Sequence, residues 1–247
     1  MADKSLNKYI SETGICSRRE ADTYIEQGRV TLNGIVATKG NRATELDEVL
    51  LDGEPLKKKV KPVYLAFHKP PGITCTTDLQ DKSNIIDFIR YKERIFPIGR
   101  LDKPSEGLIF LTNDGDIVNK ILRAGNNHEK EYVVTVDKTI DAEFIHKMRT
   151  GVPVLGTVTK KCYAVQEGHK RFRIVLTQGL NRQIRRMCEF LGFKVISLKR
   201  IRIMHIRLDR LAPGQWRYFT QDEIKEMDAL VRHSTKTQEG SVNTWAE

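Results

Sequence analysis

One stretch of the chain, residues 95–116, contains a charged turn followed by an apolar segment that must be buried. Its apolar part, 107–112, is long enough for one strand and has no polar face, which predicts a buried strand. Asp102 precedes this strand and lies between Arg100 and Lys103. A carboxylate at the mouth of a sheet and beside cations stays ionised, so it can act as a nucleophile or a base. The simpler interpretation is a loop aspartate paired with a neighbouring cation.

The charge of the chain indicates a polyanionic partner. The 247 residues carry a net charge of +10, which is typical of proteins that bind nucleic acid. Residues 1–62 contain 11 Lys or Arg against 10 Asp or Glu, whereas residues 180–210 contain nine against two. Apolar residues interrupt this basic segment and would anchor it, so a phosphate-contacting surface explains it better than a solvated face. The phosphate contacts predicted in it are Arg182, Arg186, Lys199, Arg200 and Arg202.

Membrane proteins, disulfide-rich proteins and metal proteins do not fit this sequence. No apolar run approaches the length that spans a membrane, and no apolar signal segment is present, so we expect a cytoplasmic protein. The four cysteines are far apart, which argues against both a disulfide framework and a cysteine zinc site. A turn and a helix cap explain Asp114 and Asp116. We predict no metal site.

Residues 1–62 have the pattern of a small domain followed by a charged linker. A capping-box sequence at Ser17 opens a helix that Gly28 ends. The pairs Asn33-Gly34 and Asp52-Gly53 predict tight turns between short strands. Two short helices and a small sheet are therefore expected here.

Residues 63–233 alternate strands with scattered helices, which predicts an α+β domain with a mixed, largely antiparallel sheet. Strands are predicted at 63–67, 73–77, 107–112, 131–136, 157–165, 171–177, 195–201 and 203–208. Helices are predicted at 85–89, 117–122 (capped by Asp116), 141–150, 184–191 and after Thr220. The last helix would turn Ile224, Met227, Leu230 and Val231 inward. Residues 234–247 would form a disordered tail.

The predicted helix at 184–191 separates apolar from basic side chains. Ile184, Met187, Cys188 and Leu191 recur at helical spacing and would pack on the sheet. Arg182, Arg185 and Arg186 would then lie on the other faces.

Three motifs together resemble those of pseudouridine synthases. They are Lys69-Pro70-Pro71-Gly72, Gly99-Arg100-Leu101-Asp102 and the stretch NRQIRRM at 181–187. The stretch LNKYISETGICSRREADTYIEQGRVTLNG resembles the alpha-L RNA-binding domain, and the two parts in this order resemble the RsuA-type rRNA enzymes. FPIGRLD, GLIFLTN and GVPVLGTVTKKC resemble the branch that modifies large-subunit (23S) rRNA. The resemblance covers residues 5–231.

This resemblance implies that a uridine is isomerised to pseudouridine without a metal or a cofactor. The bond from ribose to uracil N1 would break, and the base would turn and rejoin through C5. Asp102 corresponds to the catalytic aspartate, Arg185 to the arginine that pairs with it and Tyr132 to the tyrosine that stacks on the base. Arg100 would support the flipped nucleotide or its phosphate, and Ile184 would pack near the base. Whether Asp102 attacks the sugar, attacks the base or acts as a base in a glycal route stays open.

The resemblance also implies the partner. Arg18 and Arg19 of the alpha-L domain would contact RNA, although exposed helix arginines are equally compatible with simple solvation. Because the target nucleotide must leave its stack, the basic segment would hold the flanking phosphates. Large-subunit rRNA is the expected substrate of a monomeric enzyme. The uridine modified, the use of a tRNA stem-loop and the choice between naked rRNA and an assembly intermediate stay open.

Three other functions account for part of the sequence. A non-catalytic rRNA-binding or ribosome-assembly protein would share the charge and the alpha-L pattern, but it would not need Asp102, Tyr132 and Arg185 together. An rRNA methyltransferase would need a glycine-rich loop after a strand, and the glycines at 72 and 179 are in the wrong context. A glycosidase-type hydrolase would need two cooperating carboxylates.

Overall fold

The computed structural model describes residues 3–56, 60–232 and 234. Apart from Ser234, the predicted tail at 234–247 lies outside the described residues, as does the middle of the predicted linker, 57–59. Two compact units are formed: Met1–Val63 with Tyr91–Ile95 and Asn113–Gly115, and Tyr64–Arg90 with Phe96–Thr112 and Asp116–Glu247. Within the described part of the chain, no helix has both the length and the apolar character needed to span a membrane.

The smaller unit contains two helices, a two-stranded sheet and a four-stranded antiparallel sheet of order β3-β2-β5-β6. Its elements are β1 (Lys4–Ser5), α1 (Leu6–Glu12), α2 (Arg18–Glu26), β2 (Val30–Leu32), β3 (Ile35–Val36), β4 (Arg42–Ala43), β5 (Val49–Leu51) and β6 (Glu54–Pro55). The capping box predicted at Ser17 is confirmed, because its side chain accepts from the Glu20 amide while the Glu20 carboxylate accepts from the Ser17 amide. Both predicted hairpin turns are confirmed, and their central residues have the positive φ angles that type I′ turns require.

The larger unit is built on one nine-stranded sheet. Its strands are β7 (Tyr64–Lys69), β8 (Phe96–Ile98), β9 (Glu106–Thr112), β10 (Lys130–Val136), β11 (Pro153–Val154), β12 (Thr157–Val158), β13 (Tyr163–Gly168), β14 (Arg171–Leu176), β15 (Val195–Ile203), β16 (Ile206–Arg207) and β17 (Trp216–Tyr218). Its helices are α3 (Ile85–Ile89), α4 (Gly115–Leu122), a 3₁₀ turn (Ala124–Asn126), α5 (Ala142–Thr150), α6 (Gln183–Phe190) and α7 (Gln221–Val231). The strands β11 and β12 form a separate hairpin.

The order of the main sheet is β13-β14-β10-β15-β9-β7-β17, with β16 on β15 and β8 on β9. Its pairs are antiparallel except β15 with β9, so the prediction of an α+β fold with a mixed, largely antiparallel sheet is confirmed. The parallel pair depends on Gly107, because a Cβ atom there would lie 2.3 Å from the Arg200 carbonyl oxygen. This close approach sets the position of β15 beside the start of β9.

Helices cover the sheet through apolar side chains at alternating strand positions. In one half, Phe172 of β14 meets Phe144 of α5 with ring centroids 5.2 Å apart. In the other half, Phe110 of β9 packs in a cluster with Ile121 of α4 and Met227 of α7. The strand predicted at 107–112 is therefore confirmed as buried sheet, and the strand predicted at 131–136 is confirmed as a strand of the same sheet.

The predicted strand at 73–77 is wrong. Thr74 makes one isolated bridge to Asn84, and the segment is a loop closed by a hydrogen bond of 2.8 Å from the Thr74 amide to the Ser83 carbonyl. The physical reason is that β7 already has a partner on each edge, β9 on one side and β17 on the other. No edge of β7 remains for a return strand.

The prediction of one strand at 157–165 is also wrong. The chain divides into β12 and β13, because the Lys160 amide donates to the Gln178 side chain and leaves the strand path. Conversely, the break predicted near residue 202 is absent, and β15 continues to Ile203 before a turn at Met204 with φ +54°.

Two predicted helix details need correction. The fourth helix begins at Gly115, so Asp116 lies in its first turn rather than at the cap. In α7, Met227 and Val231 are buried as predicted, but Leu230 is 46% exposed because it points away from the sheet.

Candidate active site

Asp102 lies in the loop between β8 and β9, at the mouth of the sheet. Its Oδ2 atom is 3.3 Å from Nε of Arg185 and 3.6 Å from Nη1 of Arg182. The Asp102 side chain is 32% exposed, whereas that of Arg185 is only 9% exposed. The structure therefore brings together the predicted aspartate and the predicted arginine, with one face of the carboxylate open to solvent.

Arg185 is held from its other end by Ser105. Nη2 of Arg185 donates a hydrogen bond of 2.8 Å to the Ser105 hydroxyl, which is itself buried. Nε of Arg185 is within ion-pair distance of Asp102, but the angle is outside hydrogen-bond geometry. The expectation that Arg185 lies away from the packed face of its helix is wrong, since its contacts with Asp102 and Ser105 compensate the burial of its charge.

The helix α6 positions these arginines. Ile184, Met187 and Cys188 are buried, which confirms them as part of the predicted packing face, whereas Leu191 is the C-cap residue and is only half-buried. Arg182 occupies the N-cap position in the left-handed region with φ +49°. Arg186 donates to the Asn181 carbonyl at 3.1 Å and so stabilises the turn that precedes the helix.

The loop of Asp102 is fixed through its backbone. The buried ammonium of Lys69 donates to the carbonyls of Lys103 at 3.3 Å and Pro70 at 2.9 Å. The Gly72 amide donates to the same Lys103 carbonyl at 2.7 Å, and Cys75 Sγ lies 3.4 Å from the Leu101 amide. Burial lowers the pKa of Lys69. The motif at 69–72 thus forms the support of the Asp102 loop, a function that its sequence alone did not reveal.

Arg200 was expected to contact phosphate, but the structure places it in the interior. In register it lies opposite Tyr132, so strand alternation turns both side chains to the same, buried face. Its Nε donates to the Leu108 carbonyl at 2.7 Å, and its guanidinium carbon is 6.0 Å from the centroid of the Tyr132 ring. Arg200 therefore belongs to the sheet that carries Tyr132 and not to an exposed basic surface.

Lys130 lies two residues before Tyr132 on the same face of β10 and is also buried. Its ammonium donates to the His128 carbonyl at 3.3 Å. Burial, together with the charge of Arg200, lowers the pKa of Lys130 to about 8. Tyr132 thus has two buried cations as neighbours, neither of which the sequence analysis singled out for this position.

Arg202, the next predicted phosphate contact, also pairs with carboxylates of the protein itself. Its Nε donates to the Glu131 carboxylate at 2.6 Å, and Arg173 donates to the same group at 2.7 Å. Burial alone would raise the pKa of Glu131, but the hydrogen bonds from Arg202 and Arg173 hold it below its ordinary value. This ion cluster lies on the face of β10 opposite Tyr132, because Glu131 and Tyr132 are adjacent in one strand.

The remaining predicted contacts are at the surface. Arg18 and Arg19 are exposed at the start of α2 in the smaller unit, and Arg100 is exposed directly before the Asp102 loop turns inward. Lys199 is partly exposed and lies 3.4 Å from the Glu106 carboxylate. In residues 3–56, 60–232 and 234, no group of three or more His, Cys, Asp or Glu side chains is arranged to hold a metal ion.

Comparison with known proteins agrees with this geometry. The family model described as RNA pseudouridylate synthase matches residues 63–190, and an S4 domain model matches residues 5–49, where the alpha-L domain was predicted. The dual-specificity RNA pseudouridine synthase RluF of Escherichia coli (strain K12) is 56% identical over 232 residues, 93% of this chain and 80% of that protein. Ribosomal large subunit pseudouridine synthase B of Bacillus subtilis (strain 168) is 34% identical over 92% of this chain and 97% of its own length.

A solved structure, the crystal structure of a pseudouridylate synthase, shares 27% identity with a TM-score of 0.67, covering 90% of this chain and 99% of that one. The region that the family model matches includes both the Asp102 loop and the helix that carries Arg185. The chain therefore belongs to the RNA pseudouridylate synthase family and carries an S4 domain ahead of its synthase domain.

Proposed function

We propose that this protein converts a specific uridine of large-subunit ribosomal RNA to pseudouridine, with Asp102 as the catalytic residue. The observation that carries the proposal is the partly exposed carboxylate of Asp102, which is paired with the buried Arg185 in the loop before β9. Its relatives support the substrate class, since one is named as an RNA pseudouridine synthase and another as a ribosomal large subunit enzyme. Activity on such RNA implies a cytoplasmic protein.

The reaction needs one group that is ionised, aimed and regenerated. The bond between C1′ and N1 breaks, a bond between C1′ and C5 forms, C5 loses a proton and N1 gains one, so nothing is consumed. Arg185 would fix the direction of the Asp102 carboxylate, because its hydrogen bond to Ser105 prevents the guanidinium from turning away. The exposed oxygen side of Asp102 would then face the nucleotide as nucleophile or base.

Tyr132 is proposed to stack on the detached base. A base that turns about its own axis needs a flat apolar surface, and an aromatic ring supplies one. Arg200 and the strand pairing would hold the ring, while Ile184 would close the pocket beside Arg185. Arg100, exposed at the edge of the loop, would contact the flipped nucleotide or its phosphate.

RNA binding is proposed to use two surfaces. Arg182, Arg186 and Lys199 would hold phosphates that flank the target, since a flipped nucleotide needs its backbone fixed on both sides. Arg18 and Arg19 of the S4 domain would contact a second part of the RNA, which would select one site among many uridines.

Pseudouridine mapping on unmodified RNA tests the proposal. The purified protein would be incubated with large-subunit rRNA, with ribosome assembly intermediates and with a tRNA pool, because the named relative has dual specificity. One new pseudouridine in large-subunit rRNA supports the proposed substrate. Modification of tRNA alone would show that tRNA, and not large-subunit rRNA, is the substrate. RNA binding without modification of any of the three would favour a non-catalytic RNA-binding protein.

A further inference from the structure

The hairpin of β11 and β12 presents an apolar tip to solvent. Leu155 is 46% exposed and Val158 62% exposed, and Pro153 is exposed between the buried residues Val152 and Val154. Leu155 also has a φ angle of +53°, a region that bulky side chains rarely adopt. Exposed apolar groups and local backbone strain at one place point to a contact with another molecule.

The base of this hairpin is rigid. Gly151 has φ +117°, and a Cβ atom there would lie 2.6 Å from the Thr159 carbonyl oxygen. The Val152 amide donates to the Thr159 hydroxyl at 2.9 Å, and the Thr159 amide donates to the Val152 carbonyl at 3.0 Å. Val152 and Thr159 are both buried. The apolar tip is therefore held in one place and is not part of a flexible loop.

The hairpin lies against the helix that carries Arg185. The strand β11 packs on α6, and the Lys160 amide donates at 3.1 Å to the side chain of Gln178, in the segment that leads to this helix. Lys160 and Lys161 are exposed directly after the base of the hairpin, and among the described residues neither takes part in an ion pair. Arg182, whose side chain is 41% exposed, adds a third cation at the start of α6.

We propose that the exposed apolar side of this hairpin, Leu155 at its turn and Val158 on β12, is a wedge that contacts the bases next to the target uridine. The inference rests on the proposed function, since a nucleotide that leaves its stack exposes the faces of its neighbours. Apolar side chains fill such gaps in known nucleic acid complexes, where they stabilise unstacked steps. The surrounding cations match a phosphate backbone, and this charge favours RNA over a second copy of this basic chain.

Fluorescence of 2-aminopurine tests the wedge directly. The full-length protein would be added to stem-loops of large-subunit rRNA that each carry 2-aminopurine beside a loop uridine, chosen independently of where modification occurs, since unstacking raises the emission of this base. Leu155→Asn keeps the left-handed backbone, which asparagine tolerates, and removes the apolar side chain. Val158→Thr keeps the shape and replaces one methyl group with a hydroxyl. Matched controls are Leu230→Asn, equally exposed at 46%, and Ile196→Thr, exposed at 61%.

We expect wild-type protein and both controls to raise the emission several-fold, and the double variant Leu155→Asn, Val158→Thr to lose most of this rise. Its kcat/KM should fall about tenfold, the usual effect of removing an apolar group from a binding surface. Equal emission and equal kcat/KM in the double variant overturn the wedge. A change in sedimentation in Leu155→Asn without an emission effect overturns it in favour of an interface between copies. Wild-type protein that unstacks the RNA without forming pseudouridine contradicts the proposed function and leaves the wedge supported.

Discussion

At the scale of single residues, the candidate site is a carboxylate whose partner is itself held in place. Arg185 connects Asp102 to Ser105, because its Nε faces the Asp102 carboxylate while its Nη2 donates to the Ser105 hydroxyl. A flexible arginine at the surface would lose side-chain entropy on pairing, whereas this buried one is already ordered. The direction of Asp102 therefore depends on Ser105, whose hydroxyl bonds Arg185 and whose amide donates to the Asp102 backbone carbonyl at 2.9 Å.

Ser105→Ala tests this dependence. Removal of the hydroxyl leaves Nη2 of the buried Arg185 without its acceptor, so we expect a loss of about 1–3 kcal/mol in the free energy of unfolding. We also expect kcat to fall about tenfold with little change in KM, because positioning and not RNA binding is affected. Ser83→Ala is the control, since the Ser83 hydroxyl bonds Asp81 and Thr74 within its own loop. An unchanged kcat in Ser105→Ala would show that Ser105 has no positioning role.

Lys130 makes the stability of the fold depend on pH. Its pKa is about 8 in the folded protein and near 10.5 in an unfolded chain. Between these pH values the unfolded chain binds more protons than the folded protein, so the free energy of unfolding rises with pH from about pH 8 upwards. Below pH 8, Lys130 is charged in both states, and the cost of burying its charge destabilises the folded protein in full.

Lys130→Met should therefore stabilise the protein at pH 7, by an amount on the order of 3 kcal/mol, and should remove this rise with pH. Urea unfolding at pH 7, 8, 9 and 10 measures both effects. Lys170→Met, at an exposed position, should leave the pH dependence of wild type unchanged. A Lys130→Met protein that is less stable than wild type at pH 7 would contradict the expected sign.

The pairing of Asp102 with Arg185 could be predicted from the sequence because each residue lies in a contiguous motif, but the groups that support this pair could not. Ser105 and Lys69 act through contacts that join distant parts of the chain, such as the bond from Lys69 to the Lys103 carbonyl. Arg200 was misjudged for a related reason. Its charge suggested the surface, whereas its position opposite Tyr132 in the register determines that it is buried.

At the scale of elements, signals between neighbouring residues predicted helix starts and tight turns. Pairing between distant strands determined where the structure differs from the prediction. The capping boxes at Ser17 and Thr220 and the turn at Asn33-Gly34 were predictable because each involves neighbouring residues. The strand predicted at 73–77 failed because β17, far along the chain, occupies the edge of β7. The parallel pair of β9 with β15 has no local sequence signal.

Gly107→Ala tests that parallel pair. The new Cβ atom would lie 2.3 Å from the oxygen and 2.5 Å from the nitrogen of Arg200, so the two strands must separate. We expect a loss of more than about 3 kcal/mol in the free energy of unfolding, at the upper end for a single substitution. In Gly179→Ala the Cβ atom meets nothing within 4 Å, and stability should be unchanged. Equal stability of both variants would contradict the close approach of β9 and β15.

At the scale of the whole molecule, the protein joins a synthase domain to an S4 domain. We expect the S4 domain to add RNA contacts without taking part in the chemistry. The double variant Arg18→Ser, Arg19→Ser should therefore keep kcat at saturating RNA. The slope of log K against log salt should become shallower by about 0.7–0.9 for each phosphate that the variant no longer binds.

The matched control for this experiment is Lys39→Ser, Arg42→Ser. It removes the same charge from the same unit, but both cations are paired with carboxylates, Lys39 with Glu26 and Arg42 with Asp3. An equal salt slope in the two double variants would assign the effect to net charge and not to the exposed start of α2.

The most direct test of the account is a single-turnover assay of Asp102→Asn on the mapped RNA. Asparagine keeps the size of the side chain and removes its charge, so the fold and the RNA affinity should remain while the nucleophile or base is lost. Asp222→Asn, at an exposed position in α7, is the control. We expect wild type and Asp222→Asn to form pseudouridine at the same rate and Asp102→Asn to bind the RNA without forming any. Pseudouridine formation by Asp102→Asn at the wild-type rate would contradict the assignment of the catalytic residue.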